Sequence, residues 1–362
     1  MRWRFVIRSV GVLTLLLGLT MLLPVLTGLY YRDASLSAGL LAAGITIVVG
    51  ALMFLGCRGE TTDHISQREA MAIVTLGWSS AGLFAALPFY MGGDIPLFSD
   101  AFFESISGLT TTGASILTDI EKLSRGLHLW RCFIQWLGGM GIIVLGLAIL
   151  PLLGVGGMQL FKAEVPSPTP DKLKPRIRQT ASLLWKVYAF ISAAELAVLL
   201  LGGMTFFDAI CHTFTTMPTG GFSTKAASIA HYDSVFIDGA IIFFMILAGI
   251  NFSLHYQLLR GKPLAFWRDA ECRFFLLVVL VLVMIVSWDI YGNQYAGLGE
   301  ALRYGAFQVV SIVTTTGFAT ADYEQWPGLS QMILLLCMFM GASAGSTGGG
   351  VKCLRVMLSF KY

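Results

Sequence analysis

The sequence reads LTTTGAS from Leu109 to Ser115, MPTGGFST from Met217 to Thr224 and VTTTGFAT from Val313 to Thr320. Each stretch closes an apolar segment too short to cross a bilayer. Within hydrocarbon, backbone that leaves the helix must be buried in protein or face water, because lipid offers its free N–H and C=O groups no partner. One such turn reads as a polar helix cap. Three in register, between hydrophobic spans, point to a lined aqueous path.

The 362 residues are 56% hydrophobic and 12% charged, against a charged share of about 25% in soluble domains. The expectation is an all-α integral membrane protein. Runs of about 20 apolar residues place spans near 5–31, 36–57, 69–91, 128–153, 181–203, 234–259, 272–291 and 328–341, the last resuming at about 351–360. The first run follows Arg2, Arg4 and Arg8 and continues to about Tyr30, longer than a signal-peptide core, so it reads as a retained span. Six scattered cysteines show neither a CxxC pair nor zinc-ligand spacing and read as unpaired thiols. Motifs of hydrolases, kinases and dinucleotide enzymes are missing, so the sequence offers no support for an enzyme.

Three short segments, near 98–110, 205–216 and 300–313, lie between successive spans and read as re-entrant helices, each ending in one of the turns. The unit of repetition is helix, re-entrant helix, turn, helix. It divides the chain into two N-terminal helices (1–60), a first repeat (61–160), a second with a preceding basic linker (161–262) and a third (263–362). An echo marks the exit helices as WLGGMGI (Trp136 to Ile142), ILAGINF (Ile246 to Phe252) and FMGASAG (Phe339 to Gly345). Repeats of this period imply equivalent elements around an axis. The spacing places a fourth turn near 415–425 while the chain stops at 362, so the expectation is a pseudo-fourfold architecture lacking its fourth repeat, unable by itself to close a selective pore. With a cytoplasmic N-terminus, eighteen of the 24 Lys and Arg fall on the inner side, as the positive-inside rule asks, and all three turns face outward.

Potassium must shed its hydration shell to be selected, and rings of backbone carbonyl oxygens can replace that shell. Glycine allows the left-handed backbone that turns successive carbonyls to one side, and threonine adds uncharged hydroxyl acceptors. The candidate filter residues are Thr111, Thr112 and Gly113; Thr219, Gly220 and Gly221; and Thr315, Thr316 and Gly317. Asp94, Asp100, Glu104, Asp208, Glu300, Asp322 and Glu324 gather around the expected outer mouth, where they read equally as carboxylates that raise local cation concentration and as solvated loop charges without a role.

GASAGSTGGG, Gly341 to Gly350, interrupts the eighth span. Each interior glycine costs roughly 1 kcal/mol of helix stability, so the run is expected to open the helix beside the water-filled path. Gly341, Gly345, Ser346, Thr347, Gly348, Gly349, Gly350 and Lys352 form this opened segment, with Lys352 able to bond loop carbonyls. Asn251, following the glycine of the second exit helix, is a candidate cavity residue. Gln135 and His255 read as packing contacts between helices. KAEVPSPTPDKLKPRIR, Lys162 to Arg178, carries four prolines and cannot be a regular helix.

FFESISGLTTTGAS (102–115), QWLGGMGIIVLGLAILPLLGVGGMQL (135–160), GGFST (220–224) and AGSTGGGVK (344–352) together resemble the Trk/Ktr/HKT superfamily of potassium transporters, most closely its bacterial TrkH-type subunits. The resemblance covers essentially the whole chain. It implies four helix–pore–helix repeats around one permeation path, one filter glycine per repeat, and an intramembrane loop below the filter that acts as a gate. It also implies a homodimer in the bacterial inner membrane, docked on a separate, TrkA-like cytosolic nucleotide-binding subunit, with K+ as the transported ion. The expected function is potassium uptake through a carbonyl-lined filter. Two alternatives stay open: a sodium-permeable or poorly selective cation channel, and a truncated, non-conducting membrane scaffold.

Overall fold

The computed structural model describes residues 1–57, 66–141 and 177–359. Among them the elements are helices, with two isolated bridge pairs and no strands. Two compact units meet in sequence between Trp185 and Lys186, inside the helix Ile177–Leu201.

The first unit holds three apolar spans, Trp3–Tyr31, Ser35–Gly56 and Arg68–Gly92. Glycines let the first two approach closely: a β-carbon added to Gly50 would stand 2.5 Å from the Leu15 amide nitrogen, and one on Gly11 would stand 2.7 Å from Cβ of Met53. Close backbone approach through small residues is how helices associate where lipid removes the hydrophobic drive. The first span steps at Met21, between Trp3–Thr20 and Leu22–Tyr31, because Pro24 has no N–H to return to the preceding turn. Ser66 and Glu69 form a reciprocal capping box at the third span, and Glu69 also receives Arg2 through Nε at 2.9 Å and Nη2 at 2.7 Å. The short helix Phe98–Leu109, the exit helix Arg125–Gly139 and the start of Ile177–Leu201, up to Trp185, also belong to this unit.

In the second unit, the short helices Phe206–Thr216 and Leu298–Val313 are followed by exit helices Val235–Gly249 and Gly328–Phe339. Ile241, Met245, Phe275, Phe307, Val310 and Phe318 belong to one buried core. The span Ala270–Ile290 is apolar on all sides, with Leu277, Leu280, Val281 and Met284 exposed, as expected of a helix whose outer face meets lipid.

The sixth expected span, 234–259, is not one helix. It ends at Gly249 and restarts at Phe252 after a bend of 103°. The physical cause lies in the second unit's tertiary structure: the carbonyls freed at the break are taken by other groups, Ala248 O by the Thr347 amide (3.3 Å), Gly249 O by the Ser343 amide (3.0 Å) and Leu247 O by His255 Nε2 (2.9 Å). His255 thus bridges the bend. The end of the fourth expected span, 142–153, and the basic segment through Arg176 lie outside the described residues.

Candidate functional site

All three turns share one backbone. In each, the residue two before the final glycine and the glycine itself have positive φ: Thr111 at 55° and Gly113 at 77°, Thr219 at 56° and Gly221 at 74°, Thr315 at 60° and Gly317 at 84°. Threonine is β-branched and clashes in the left-handed region, a strain of about 1–3 kcal/mol per residue that persists only where the surroundings impose it.

What imposes it is the end of each short helix, whose last carbonyls lack intrahelical partners. The Thr112, Gly220 and Thr316 amides donate to Ser107, Thr215 and Ser311 carbonyls at 2.9, 2.9 and 2.8 Å. The Thr111, Thr219 and Thr315 amides donate to Gly108, Thr216 and Ile312 carbonyls at 3.0, 2.9 and 2.9 Å. A trans peptide holds each carbonyl antiparallel to the following N–H. With the N–H groups aimed back at the helix end, the carbonyls of Thr110 and Thr111, Pro218 and Thr219, and Thr314 and Thr315 aim away from it. Hydroxyls add to this set unevenly. Thr110 and Thr112 share a 2.7 Å hydrogen bond and Thr314 and Thr316 one of 2.8 Å, while the second turn has Pro218 and Gly220 at those places.

Within the second unit, two of the turns touch. A β-carbon on Gly221 would stand 1.9 Å from the Thr316 carbonyl oxygen, so only glycine fits there, on grounds of space as well as φ. Farther along, the Ala230 amide donates to Ala319 O at 3.1 Å, and the Ala319 amide donates to Ser228 Oγ at 3.2 Å.

Nine residues before each turn glycine stands a fully buried polar side chain, of a different kind in each repeat: Glu104, His212 and Gln308. Each bonds the strand that leaves its turn. Glu104 accepts from Ser115 Oγ and the Ile116 amide, both at 3.0 Å, and pairs with the buried Arg131 at 2.6 Å. His212 Nδ1 lies 2.7 Å from the Asp208 carbonyl, which can only accept, so the proton sits on Nδ1 and bare Nε2 receives the Ser223 hydroxyl at 3.0 Å. Gln308 donates to Ala321 O at 2.8 Å. Three residues nearer the glycine, Ser107 and Ser311 donate to Ala114 O and Phe318 O, at 2.5 and 2.7 Å.

The glycine-rich loop lies under this pair of turns. Its neck is closed by a bridge between Met340 and Val351, where the Gly341 amide donates to Val351 O at 2.8 Å. Above, the Gly349 amide donates to Thr315 Oγ1 at 2.8 Å, and Thr347 Oγ1 donates to Met217 O at 2.9 Å and Ala248 O at 3.2 Å. At the side, Gly345 accepts from the Phe252 amide at 3.1 Å and rests against Asn251, so that a β-carbon there would stand 2.9 Å from the Asn251 carboxamide. Gly345 and Gly350 take positive φ, 74° and 68°, and Lys352 Nζ, buried, donates to Gly348 O.

Residues 40–362 match the family of TrkH cation transport proteins. The chain belongs to that family. It is 44% identical over 367 residues to the Trk system potassium uptake protein TrkH of Salmonella typhimurium, covering 100% of this chain and 75% of the relative, and 43% identical to that of Escherichia coli over the same shares. The fold is similar to the crystal structure of the potassium transporter TrkH from Vibrio parahaemolyticus, with a TM-score of 0.87 and 37% identity, over 99% of this chain and 75% of that one. The chain is thus a multi-pass, all-helical membrane protein of the TrkH family.

In this TrkH family member, the turns expected in the second and third repeats meet where Gly221 faces Thr316 and Gly317, Gly349 of the loop bonds Thr315 directly, and Thr347 bonds the carbonyl of Met217, which leads into the second turn. Thr111, Thr112 and Gly113 form the same turn in the first unit. Asn251 stands at the helix break, where its side chain accepts from the Ser253 amide at 2.8 Å and caps Phe252–Leu259. Glu104 is no mouth carboxylate: it is fully buried against Arg131, because the strand after the first turn needs an acceptor for its amide and hydroxyl. The supporting row of Glu104, His212 and Gln308 was missed in the sequence because a repeat search looks for identity. A fixed distance from the glycine, with polarity alone retained, is the signal that finds it.

Proposed function

We propose that this chain carries potassium across the bacterial inner membrane through a path lined by turn carbonyls, passively, and that the Gly341–Gly350 loop gates it. The observation that carries the reading is the shared left-handed, glycine-ended backbone of three turns, whose N–H groups are consumed by the short helices while their carbonyls aim elsewhere. Dehydrated K+ needs such oxygens, uncharged and several deep, to be held and still released. Thr111, Thr112, Gly113, Thr219, Gly220, Gly221, Thr315, Thr316 and Gly317 are the filter residues in this reading. The loop is the gate in this reading because it bonds both turns of its unit and is rich in glycine, which can change backbone conformation at little steric cost.

In the same proposal the N-terminus is cytoplasmic, the chain pairs as a homodimer, and a separate cytosolic nucleotide-binding subunit acts on the gate. The relatives named above are potassium uptake proteins, which supports K+ over Na+ as the ion. The test is growth at limiting potassium of cells lacking their own uptake systems, carrying a chimera in which residues 1–362 replace the matched part of the Salmonella relative. Rescue by the chimera, abolished by Gly221→Ala, is the expected result. Rescue that survives disruption of all three turns would overturn the filter assignment, and sodium entering as fast as potassium would favour the poorly selective alternative.

A further inference from the structure

One carboxylate oxygen holds the glycine loop from below. Glu271 Oε1 accepts the Ala344 amide at 2.7 Å and the Leu354 amide at 3.1 Å, across 73 and 83 residues of sequence. These amides come from opposite limbs of the loop. Ala344 precedes the left-handed Gly345 on the descending limb, and Leu354 lies in the first turn of Cys353–Ser359, beyond the neck.

Both donors need an outside partner. The first amides of a helix have no intrahelical acceptor, and an anion at that end also meets the positive pole of the helix. Glu271 thus caps a helix that it does not belong to. Its own helix, Ala270–Ile290, is fixed independently, since Asp269 caps it through the Cys272 amide at 2.7 Å and Phe275, Val279 and Val283 are buried in the core. The carboxylate is therefore presented from a rigid wall. On the loop's other side, Lys352 Nζ ties down Gly348 O, and its charge attracts that of Glu271.

We propose that Glu271 is the latch of the loop, a positioning residue that keeps the gate closed by joining its two limbs through a single oxygen. The proposal rests on the gate reading for its effect on flux, though not for its effect on the loop. Because both amides share one acceptor, removing that single oxygen frees both limbs at once.

The experiment is hydrogen–deuterium exchange of the purified 362-residue chain in lipid nanodiscs, compared with Glu271→Ala and Glu271→Gln, joined to ion flux of the same substitutions in the chimera. Glutamine keeps an oxygen that can accept both amides. Expected are a roughly tenfold faster exchange of amides 341–354 in Glu271→Ala, a smaller change in Glu271→Gln, and unchanged exchange across 275–290 in both, which shows that the wall still folds. In the chimera, Glu271→Ala is expected to raise flux severalfold. Exchange of 341–354 in Glu271→Ala equal to that of the unsubstituted chain, with 275–290 intact, overturns the latch. Faster exchange without any change in flux upholds the latch and overturns the gate reading instead.

Discussion

The Gly349 amide donates a 2.8 Å hydrogen bond to the hydroxyl of Thr315, whose own φ is 60°. A residue of the candidate gate is thereby bonded to a residue of the candidate filter, so the loop closes against a turn that is itself under strain. Thr315→Ser keeps the acceptor, and Thr315→Val keeps the shape without it. The valine variant is expected to loosen the loop by about 1 kcal/mol, seen as faster thiol modification of a cysteine placed at Ser346, while the serine variant modifies at the original rate. Equal rates in both would separate the loop from the turn.

The turn glycines should not be equivalent. A side chain at Gly221 meets the Thr316 carbonyl, whereas one at Gly317 meets nothing within 4 Å and is opposed only by φ. Gly317→Ala is expected to cost about 1–2 kcal/mol, leaving a folded protein with changed potassium-over-sodium selectivity. Gly221→Ala forces the two turns apart and is expected to reduce folded yield as well as uptake. Size-exclusion profiles beside ion flux distinguish the two effects.

The buried pair of Glu104 and Arg131 makes a claim about the first turn. Arg131→Met strands a carboxylate with only Ser115 and Ile116 as donors, and breaking such a pair costs about 3–5 kcal/mol. Replacing both residues by methionine is expected to cost less than Arg131→Met alone, because no buried charge is left over. Thermal denaturation in detergent gives the ordering, and a double variant worse than the single would contradict it.

His212 and Gln308 occupy one register, and each bonds the strand leaving its turn. His212→Gln should therefore retain uptake, since a carboxamide oxygen can accept the Ser223 hydroxyl as Nε2 does. His212→Leu removes the Nε2 that accepts the Ser223 hydroxyl at 3.0 Å, costing about 1–3 kcal/mol, and is expected to lower selectivity before it lowers expression. A leucine variant with unchanged ion preference would show that the row supports folding alone.

Much of the architecture was legible in the sequence. The short helices begin and end within a few residues of where the apolar segments and the turns place them, because length and polarity are local properties. The Thr and Gly composition of the turns likewise announced a non-helical backbone. Less legible was the meaning of the exit-helix echo. WLGGMGI, ILAGINF and FMGASAG each mark where a described helix ends, at Gly139, Gly249 and Phe339, yet in ILAGINF one glycine, one alanine and the capping Asn251 stand among apolar residues. Asn251 can cap a new helix locally, but it does not by itself make the preceding one stop. Val235–Gly249 stops because Ser343 and Thr347, almost a hundred residues later, supply amides for the carbonyls that the break exposes.

The sequence by itself determined that the chain is membrane-embedded, that three polar turns recur, and that a glycine run interrupts the last span, since each follows from hydrophobicity and steric freedom along a few consecutive residues. Only the tertiary structure decided that Glu104 is a buried support instead of a mouth charge, that the second exit helix bends to receive the loop, and that Glu271 ties the loop's limbs together. Those outcomes depend on which unsatisfied amide or carbonyl meets which acceptor or donor outside its own helix or turn, from 11 residues away for Glu104 to 83 for Glu271, and such a partner leaves no periodic trace in the chain that supplies it.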